Sequence, residues 1–193
     1  MRTTRPPAVA IVGWHNSGKT HLVVELTKIL SEYGFRVATI KHAADLEDLE
    51  DPASDSAEHQ KAGACETLLV GERRSALYRR LESRADSGQV PFEHLSNDRI
   101  DVVLVEGFKG SDLPRIETYR RSNRMTAPPL AGEIDVLAVV TDERIALPDG
   151  VRIFRWRDAE ELAEFIMDVV IGARGSGDGA IRRGEDDAEG RVA

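Results

Sequence analysis

The sequence predicts an α/β fold in which a mostly parallel sheet is flanked by helices, with an added β-hairpin or edge strands. Three observations support this prediction. Residues 8–12, "AVAIV", form a short apolar run typical of a strand buried on both faces. A glycine-containing loop follows at once, and an amphipathic helical pattern begins at Lys19. A second apolar run, "IDVVLVEG" at 100–107, predicts another buried strand of the same kind.

The first helix and the second strand complete a strand-helix-strand unit. Apolar residues recur at helical spacing after Lys19, and Gly34 stands where a left-handed C-terminal cap is favourable. "FRVATI" at 35–40 predicts a strand that ends at Lys41 and His42. The apolar helical residues are Leu22, Leu26, Ile29, Leu30 and Tyr33.

The middle of the chain predicts a loop followed by a hairpin. The acidic stretch "AADLEDLEDPASDS" at 43–56 predicts a long loop, and Ser54 or Asp55 is a candidate cap for a short helix that ends before Gly63. "CETLLVG" and "SALYRRL" predict two antiparallel strands, although "RRSALYRRLES" also fits a helix.

Further elements follow the strand at 100–107. "PFEHLSN", just before it, predicts a short helix, and the alternating "RIETYR" after it predicts an edge strand. Ile134 to Val140 predicts another buried strand, and "VRIFRW" predicts a last short one. In "RDAEELAEFIMDVVIG", Asp158 with Glu161 three residues later indicates the start of a helix.

Length and composition favour one globular domain over 1–171. The chain has 193 residues, of which 41% are hydrophobic and 31% charged. Residues 172–193 are rich in glycine and charge and are predicted to be disordered, because they offer too little apolar surface to offset the entropy of ordering.

Charge and targeting patterns exclude several functional classes. A net charge of −8 argues against a nucleic-acid-coating surface, which needs clustered cations. No apolar stretch approaches the roughly 20 residues of a membrane span, and the amino terminus does not resemble a secretory signal. We therefore expect a cytoplasmic location, and the single cysteine, which cannot form an internal disulfide, agrees with it.

The octapeptide "GWHNSGKT" at 13–20 carries the clearest chemical signal. It satisfies the phosphate-loop pattern G-x-x-x-x-G-K-[ST] between a buried strand and a helix, which predicts a nucleotide-binding fold of the P-loop NTPase type. Gly13 and Gly18 let backbone N–H groups approach phosphate oxygens, and the helix dipole adds to the attraction. Lys19 would reach the β and γ phosphates, and the Thr20 hydroxyl would bind magnesium.

A magnesium site next to bound phosphates needs an acidic partner, usually at the end of a neighbouring buried strand. Glu106 ends the strand of "DVVLVEG" and is the candidate for binding the metal or orienting a water. Asp101 starts the same strand, roughly 16 Å away, and is not expected to reach the same ion.

Several motifs together resemble the molybdopterin-guanine dinucleotide biosynthesis adaptor family, MobB. They are "GWHNSGKT", "IKH" at 40–42, "DPASDS" at 51–56, "KAGA" at 61–64, "VEGFK" at 105–109 and "PRIETYR" at 114–120. The resemblance covers about residues 8–170. It implies a dimeric, cytoplasmic P-loop protein that binds GTP and Mg²⁺, has weak GTPase activity and assists the enzyme that joins a guanine nucleotide to molybdopterin.

The loop pattern, the strand ends and the resemblance together give the candidate site residues. Lys19 and Glu106 would be catalytic, and Thr20, Asp55 and Glu106 would bind the metal. The nucleotide-binding set would comprise Gly13, Asn16, Ser17, Gly18, Lys19, Thr20, His21, Lys41, Asp55, Ser56 and Asp142.

Three features depart from the family pattern. Relatives often carry a second threonine in place of His21, a lysine in place of Arg115, and histidines where this chain has the acidic "AADLEDLED" at 43–51. The "N-K-x-D" signature of many GTPases is absent, although "VVTD" places Asp142 just past a buried strand. A carboxylate there could accept hydrogen bonds from the N1 and N2 groups of guanine.

Three functional hypotheses follow from these patterns. The first is an accessory GTPase with slow turnover that positions a nucleotide or cofactor for a partner enzyme. The second is a non-catalytic module whose bound nucleotide stabilises a partner-binding conformation. The third is a small-molecule kinase in which the arginines of "ERRSALYRR" form a lid.

Overall fold

The computed structural model describes residues 5–43, 54–79, 88–95, 99–121 and 127–172. By contacts the chain divides into two compact units, one formed by residues 43–86 and the other by the rest. No helix within the described ranges is long and apolar enough to cross a membrane. The acidic residues 45–51 and the tail from 173 lie outside these ranges, so the predicted extent of the domain and the predicted disorder of the tail remain predictions.

The larger unit is built on a six-stranded parallel sheet in the order β2-β5-β1-β6-β7-β8. This confirms the predicted α/β class with a mostly parallel sheet and an added hairpin. The strands within the described residues are β1 Ala8–Val12, β2 Val37–Lys41, β3 Glu66–Val70, β4 Ser75–Arg79, β5 Val102–Glu106, β6 Arg115–Thr118, β7 Ala138–Val140 and β8 Arg152–Phe154.

Apolar side chains cover both faces of this sheet, as the continuous apolar runs predict. On one face, Val9 and Ile11 pack with helices α1 (Lys19–Glu32) and α3 (Ala159–Ile166). On the other face, Ala10 and Val12 belong to a second cluster that includes Phe108 and Leu130. Because β1 and β5 are buried on both faces, their positions in the unit are firmly fixed.

The prediction that "RIETYR" forms an edge strand is wrong. β6 lies between β1 and β7 and is almost wholly buried. The alternation that suggested an exposed edge comes from Glu117, whose side chain is fully buried and accepts hydrogen bonds from the backbone N–H groups of Leu130 (2.7 Å) and Ala131 (2.9 Å). Burial raises the pKa of this carboxyl, and the two N–H groups oppose the rise.

Other boundaries also differ from the predictions. The strand predicted from Ile134 starts only at Ala138, because the Ile134 N–H closes a turn on the carbonyl of Leu130. The described part of "PFEHLSN", residues 91–95, forms a 3₁₀ turn at Phe92–His94. The Asp158 side chain accepts from Arg155 N rather than capping α3, and α3 continues as a π-helical turn, Met167–Ile171.

The smaller unit contains the helix and the hairpin predicted for the middle of the chain. Helix α2, Asp55–Lys61, begins after Ser54, whose hydroxyl accepts a hydrogen bond from Ala57 N at 3.1 Å. Strands β3 and β4 pair antiparallel, with Leu68 opposite Leu77. "SALYR" is therefore a strand, and the alternative helical interpretation of this segment is wrong.

Because the six strands of this sheet are parallel, their carboxyl ends all lie at the same end of the sheet. The loop after β1, Lys41 at the end of β2 and Glu106 at the end of β5 lie there. Asp101 precedes β5 at the opposite end of the strands, where it forms an ion pair with Arg36 at 2.6 Å. Asp101 and Glu106 therefore lie at opposite ends of β5.

Candidate nucleotide-binding site

The loop between β1 and α1 turns tightly at two glycines, and a side chain at either position would displace neighbouring atoms. Gly13 has φ +147° and Gly18 has φ +100°. A Cβ on Gly13 would lie 2.4 Å from the carbonyl oxygen of Thr118, and one on Gly18 would lie 2.5 Å from the Trp156 indole. Asn16 also adopts a left-handed conformation, with φ 58°. The loop is therefore a compact cradle built against β6 and the segment after β8.

The ammonium group of Lys19 lies over this loop. Its Nζ donates hydrogen bonds to the carbonyls of Trp14 (2.7 Å) and Gly13 (3.1 Å). Burial lowers the pKa of Lys19 below its ordinary value, the Glu106 carboxylate raises it, and the Lys41 ammonium lowers it. Lys19 is thus a partly desolvated cation whose partners are neutral carbonyls, an arrangement that favours an incoming anion.

Glu106, Thr20 and Lys41 form a hydrogen-bonded cluster beside the loop. The Thr20 hydroxyl donates to Glu106 Oε1 at 2.7 Å, and Lys41 Nζ lies 3.3 Å from the same oxygen. Glu106 is only 8% exposed. The register of the sheet explains the cluster, because Glu106 stands opposite Ile11 on one side and Lys41 on the other. Three residues predicted from strand ends and loop pattern are therefore brought together.

Thr118 fixes the loop to the sheet and was not predicted as a site residue. Its Oγ1 lies 2.7 Å from Ser17 Oγ and donates to Val12 O at 3.3 Å. Ser17 and Thr118 are both buried. The available signal was a polar residue at the carboxyl end of "RIET", but the prediction of an edge strand concealed its position next to β1.

An indole forms a second wall of the site. The Trp156 ring lies against Gly18, 5.7 Å from the His21 ring between centroids, and the guanidinium of Arg120 lies 4.0 Å from the Trp156 ring centroid. Asp142 Oδ1 accepts a hydrogen bond from Trp156 N at 3.4 Å. His21 and Asp142 were predicted as site residues, whereas Trp156 and Arg120 were not.

His42 and Arg115, which the sequence places near strand ends, form contacts with other partners. His42 donates its N–H to the carbonyl of Glu106, and its ring packs on Phe108 with centroids 5.1 Å apart. Arg115 donates to the backbone carbonyls of Ser111 and Asp135. The charge of Arg115 is therefore used to bind loop carbonyls.

Asp55 and Ser56 belong to the smaller unit. Both lie in the first turn of α2, where Ser56 Oγ is 3.2 Å from Ser54 Oγ. Their roles toward metal and nucleotide stay predictions. Among the described residues, no group of three or more histidine, cysteine, aspartate or glutamate side chains is arranged to hold a metal by itself.

Comparison with known proteins identifies the family. Residues 8–142 match the family model of MobB, described as molybdopterin guanine dinucleotide synthesis protein B. The chain belongs to the MobB family. The predicted resemblance is therefore confirmed.

Two curated relatives are similar in sequence to this chain over most of their own length. The chain is 30% identical over 169 residues to a molybdopterin-guanine dinucleotide biosynthesis adapter protein of Escherichia coli, covering 86% of this chain and 94% of that protein. It is 32% identical over 138 residues to the protein of the same name from Haemophilus influenzae, covering 70% of this chain and 75% of that one.

Solved structures agree with the fold. A crystal structure of molybdopterin-guanine biosynthesis protein B is 30% identical with a TM-score of 0.62, and the match covers 83% of this chain and 98% of that one. A Bacillus subtilis MobB structure has 22% identity and a TM-score of 0.61, covering 84% and 96% of the two chains. The MobB chain described here thus shares the P-loop NTPase-like fold of these proteins.

Proposed function

We propose that this MobB protein binds GTP and Mg²⁺ at residues 13–20 and acts as an adaptor for the enzyme that attaches a guanine nucleotide to molybdopterin. The observation that carries the proposal is the arrangement of Lys19 over a loop whose two glycines admit no side chain. The names of the relatives from E. coli and H. influenzae support the pathway.

The phosphate end of the nucleotide fits the loop. Gly13 and Gly18 carry no side chains of their own, and the N-terminal N–H groups of α1 add a positive partial charge. A polyphosphate would give Lys19 an anionic partner in place of the carbonyls of Gly13 and Trp14.

The metal end fits Thr20 and Glu106. Mg²⁺ in nucleotide sites is held by one or two protein oxygens together with phosphate oxygens and water. The Thr20 hydroxyl and the Glu106 carboxylate already lie 2.7 Å apart, so both oxygens face the same point beside the loop. When bound, Mg²⁺ would neutralise charge on the β and γ phosphates.

Slow hydrolysis is expected from these residues. Glu106 is the candidate for orienting a water toward the γ phosphate, but it is hydrogen-bonded to Thr20 and paired with Lys41. The adaptor role therefore suits the site better than rapid turnover. A non-catalytic module remains the second candidate, and single-turnover assays that recover bound GTP intact would favour it. The kinase hypothesis is weaker, because residues 75–79 of its proposed lid form a β-strand.

The base end of the site is proposed to include Asp142. This carboxylate follows β7 and accepts a hydrogen bond from Trp156 N, which places it beside the indole that contacts the loop. An anionic acceptor there would bind the N1 and N2 hydrogens of guanine and would not suit adenine, which presents no such pair of donors.

The hairpin is proposed to mediate dimerisation. Leu68 and Leu77 stand opposite each other, so their side chains share one face, and they are 61% and 49% exposed. An isolated two-stranded sheet is marginally stable, and a second copy would cover this apolar face. We place the dimer in the cytoplasm, in keeping with the free Cys65, and cell fractionation would test that location.

Lys19→Ala should weaken GTP binding by about 100-fold or more, because it removes the cation that the phosphates would contact. The α-helical circular dichroism should be unchanged. Calorimetric titration of the full chain measures the affinity, with Lys28→Ala as the control, since Lys28 is exposed on the same helix. Equal affinities for the parent and Lys19→Ala would refute the assignment of the loop.

Glu106→Gln should reduce the gain in GTP affinity that MgCl₂ produces by about tenfold, because a neutral amide is a poorer magnesium ligand than a carboxylate. The titration is run with and without Mg²⁺. Asp101→Asn, at the opposite end of β5, should keep the full gain. A gain in Glu106→Gln as large as in the parent would remove Glu106 from the metal site.

Asp142→Asn should lower the affinity for GTP by about tenfold and leave that for ATP unchanged, because only guanine is proposed to donate to this carboxylate. Competition between the two nucleotides against a fluorescent analogue measures both constants. If Asp142→Asn bound GTP as tightly as the parent, guanine selection would have to reside elsewhere.

Leu77→Glu should shift the full chain from dimer to monomer, because it places a carboxylate on the proposed apolar interface. Sedimentation velocity at micromolar concentration measures the mass. Ala76→Glu is the control, since residue 76 lies on the other face of the same strand. A parent protein that sediments as a monomer would contradict the proposal.

A further inference from the structure

The strand order predicts how the bound nucleotide is oriented across the carboxyl ends of the strands. Glu106 and Lys41 end β5 and β2, on one side of the loop that follows β1. β6, β7 and β8 lie on the other side of β1. If the metal and the terminal phosphates lie toward Glu106, the nucleoside must extend across Gly18 toward the segments that follow β6, β7 and β8. This step rests on the proposed function.

The residues at that end form a wall around the indole of Trp156. The Trp156 ring packs on Gly18, which is part of the proposed phosphate-binding loop, so the wall adjoins that loop. The Arg120 guanidinium lies 4.0 Å from the ring centroid, and Asp142 binds the Trp156 N–H of the backbone. Indole faces and guanidinium planes are the groups on which nucleobases stack.

Two polar groups of this wall have no hydrogen-bonding or carboxylate partner among the described residues. The indole Nε1 of Trp156 is buried and has no hydrogen-bond partner among the described residues. Arg120 is exposed and forms no ion pair with a carboxylate in the described part of the chain, whereas its neighbour Arg121 pairs with Glu143 at 3.6 Å. Within the described ranges, Arg120 is therefore a cation whose contact is with the Trp156 ring and not with a carboxylate.

We propose that Trp156 and Arg120 bind the nucleoside part of the nucleotide, so that both residues set nucleotide affinity without touching the terminal phosphates. The nucleoside contacts the indole and the guanidinium that is stacked on it at the end of β6. The ligand class is a purine nucleoside di- or triphosphate. Inorganic tripolyphosphate, which has no nucleoside, should use the loop and Lys19 alone.

The chain offers a direct spectroscopic test. Its two tryptophans are Trp14, in the loop, and Trp156. Trp14→Phe therefore leaves Trp156 as the only indole in the full-length protein. We expect GTP and GDP to change the emission of this variant, and tripolyphosphate to bind, by calorimetry, without a comparable change. Emission that responds equally to all three ligands, or to none of them, would overturn the proposal.

Affinity measurements separate this proposal from the proposed function. Trp156→Leu, which keeps apolar bulk against the core, and Arg120→Gln should each weaken GTP binding by about tenfold and leave tripolyphosphate binding unchanged. Arg121→Gln is the control for charge and should change neither. A parent chain that binds neither ligand refutes the loop assignment itself. GTP affinity unaltered by Trp156→Leu and Arg120→Gln, in a chain that binds both ligands, refutes only the nucleoside wall.

Discussion

The parallel pairing of β1 with β5 on one side and β6 on the other is the constraint on which the site depends. The pairing of Ile11 with Glu106 and of Val12 with Glu117 sets the heights at which these three strands end. Since parallel strands finish at the same end of the sheet, Glu106 at the end of β5 and Thr118 at the end of β6 lie beside the loop that follows β1. A shift of β5 or β6 by one residue would turn these side chains to the opposite face.

The electrostatics of this end of the sheet follow from that pairing. Two ammonium groups, Lys19 and Lys41, lie near one buried carboxylate, Glu106. Lys41 and Thr20 both contact the same carboxylate oxygen, whereas the hydrogen bonds of Lys19 go to backbone carbonyls of the loop. The local excess of positive charge stands against a net charge of −8 for the chain. The local positive charge favours the binding of a small anion at the loop, whereas the net negative charge of the chain repels extended polyanions.

Much of this site could be predicted from the sequence, because its signals are local. The spacing of Gly13, Gly18 and Lys19 is a property of eight consecutive residues, and Glu106 is marked by the end of an apolar run. The hairpin and the cap at Ser54 were also signalled by neighbouring residues. In each case the backbone geometry is decided within one turn or one strand.

What could not be predicted depends on contacts between distant segments. Thr118 contacts the loop because β6 pairs with β1, and Trp156 contacts it because the segment after β8 lies at the same end of the sheet. Arg120, which follows β6, contacts Trp156. Glu117 gave "RIETYR" the pattern of an exposed strand, yet its carboxylate is buried and accepts hydrogen bonds from the backbone N–H groups of residues 130 and 131. Polar residues satisfied by a remote turn cannot be told from solvent-facing ones in a single sequence.

The central claim is that the amides of residues 13–20 and the Lys19 ammonium receive the phosphates of a nucleotide. Nuclear magnetic resonance of ¹⁵N-labelled full-length protein, titrated with a non-hydrolysable GTP analogue and Mg²⁺, measures this directly. The account predicts that the largest amide shifts fall on the loop and the first turn of α1, together with a shift of the Lys19 side-chain resonance. Saturable binding that leaves these resonances in place and perturbs another surface would contradict it.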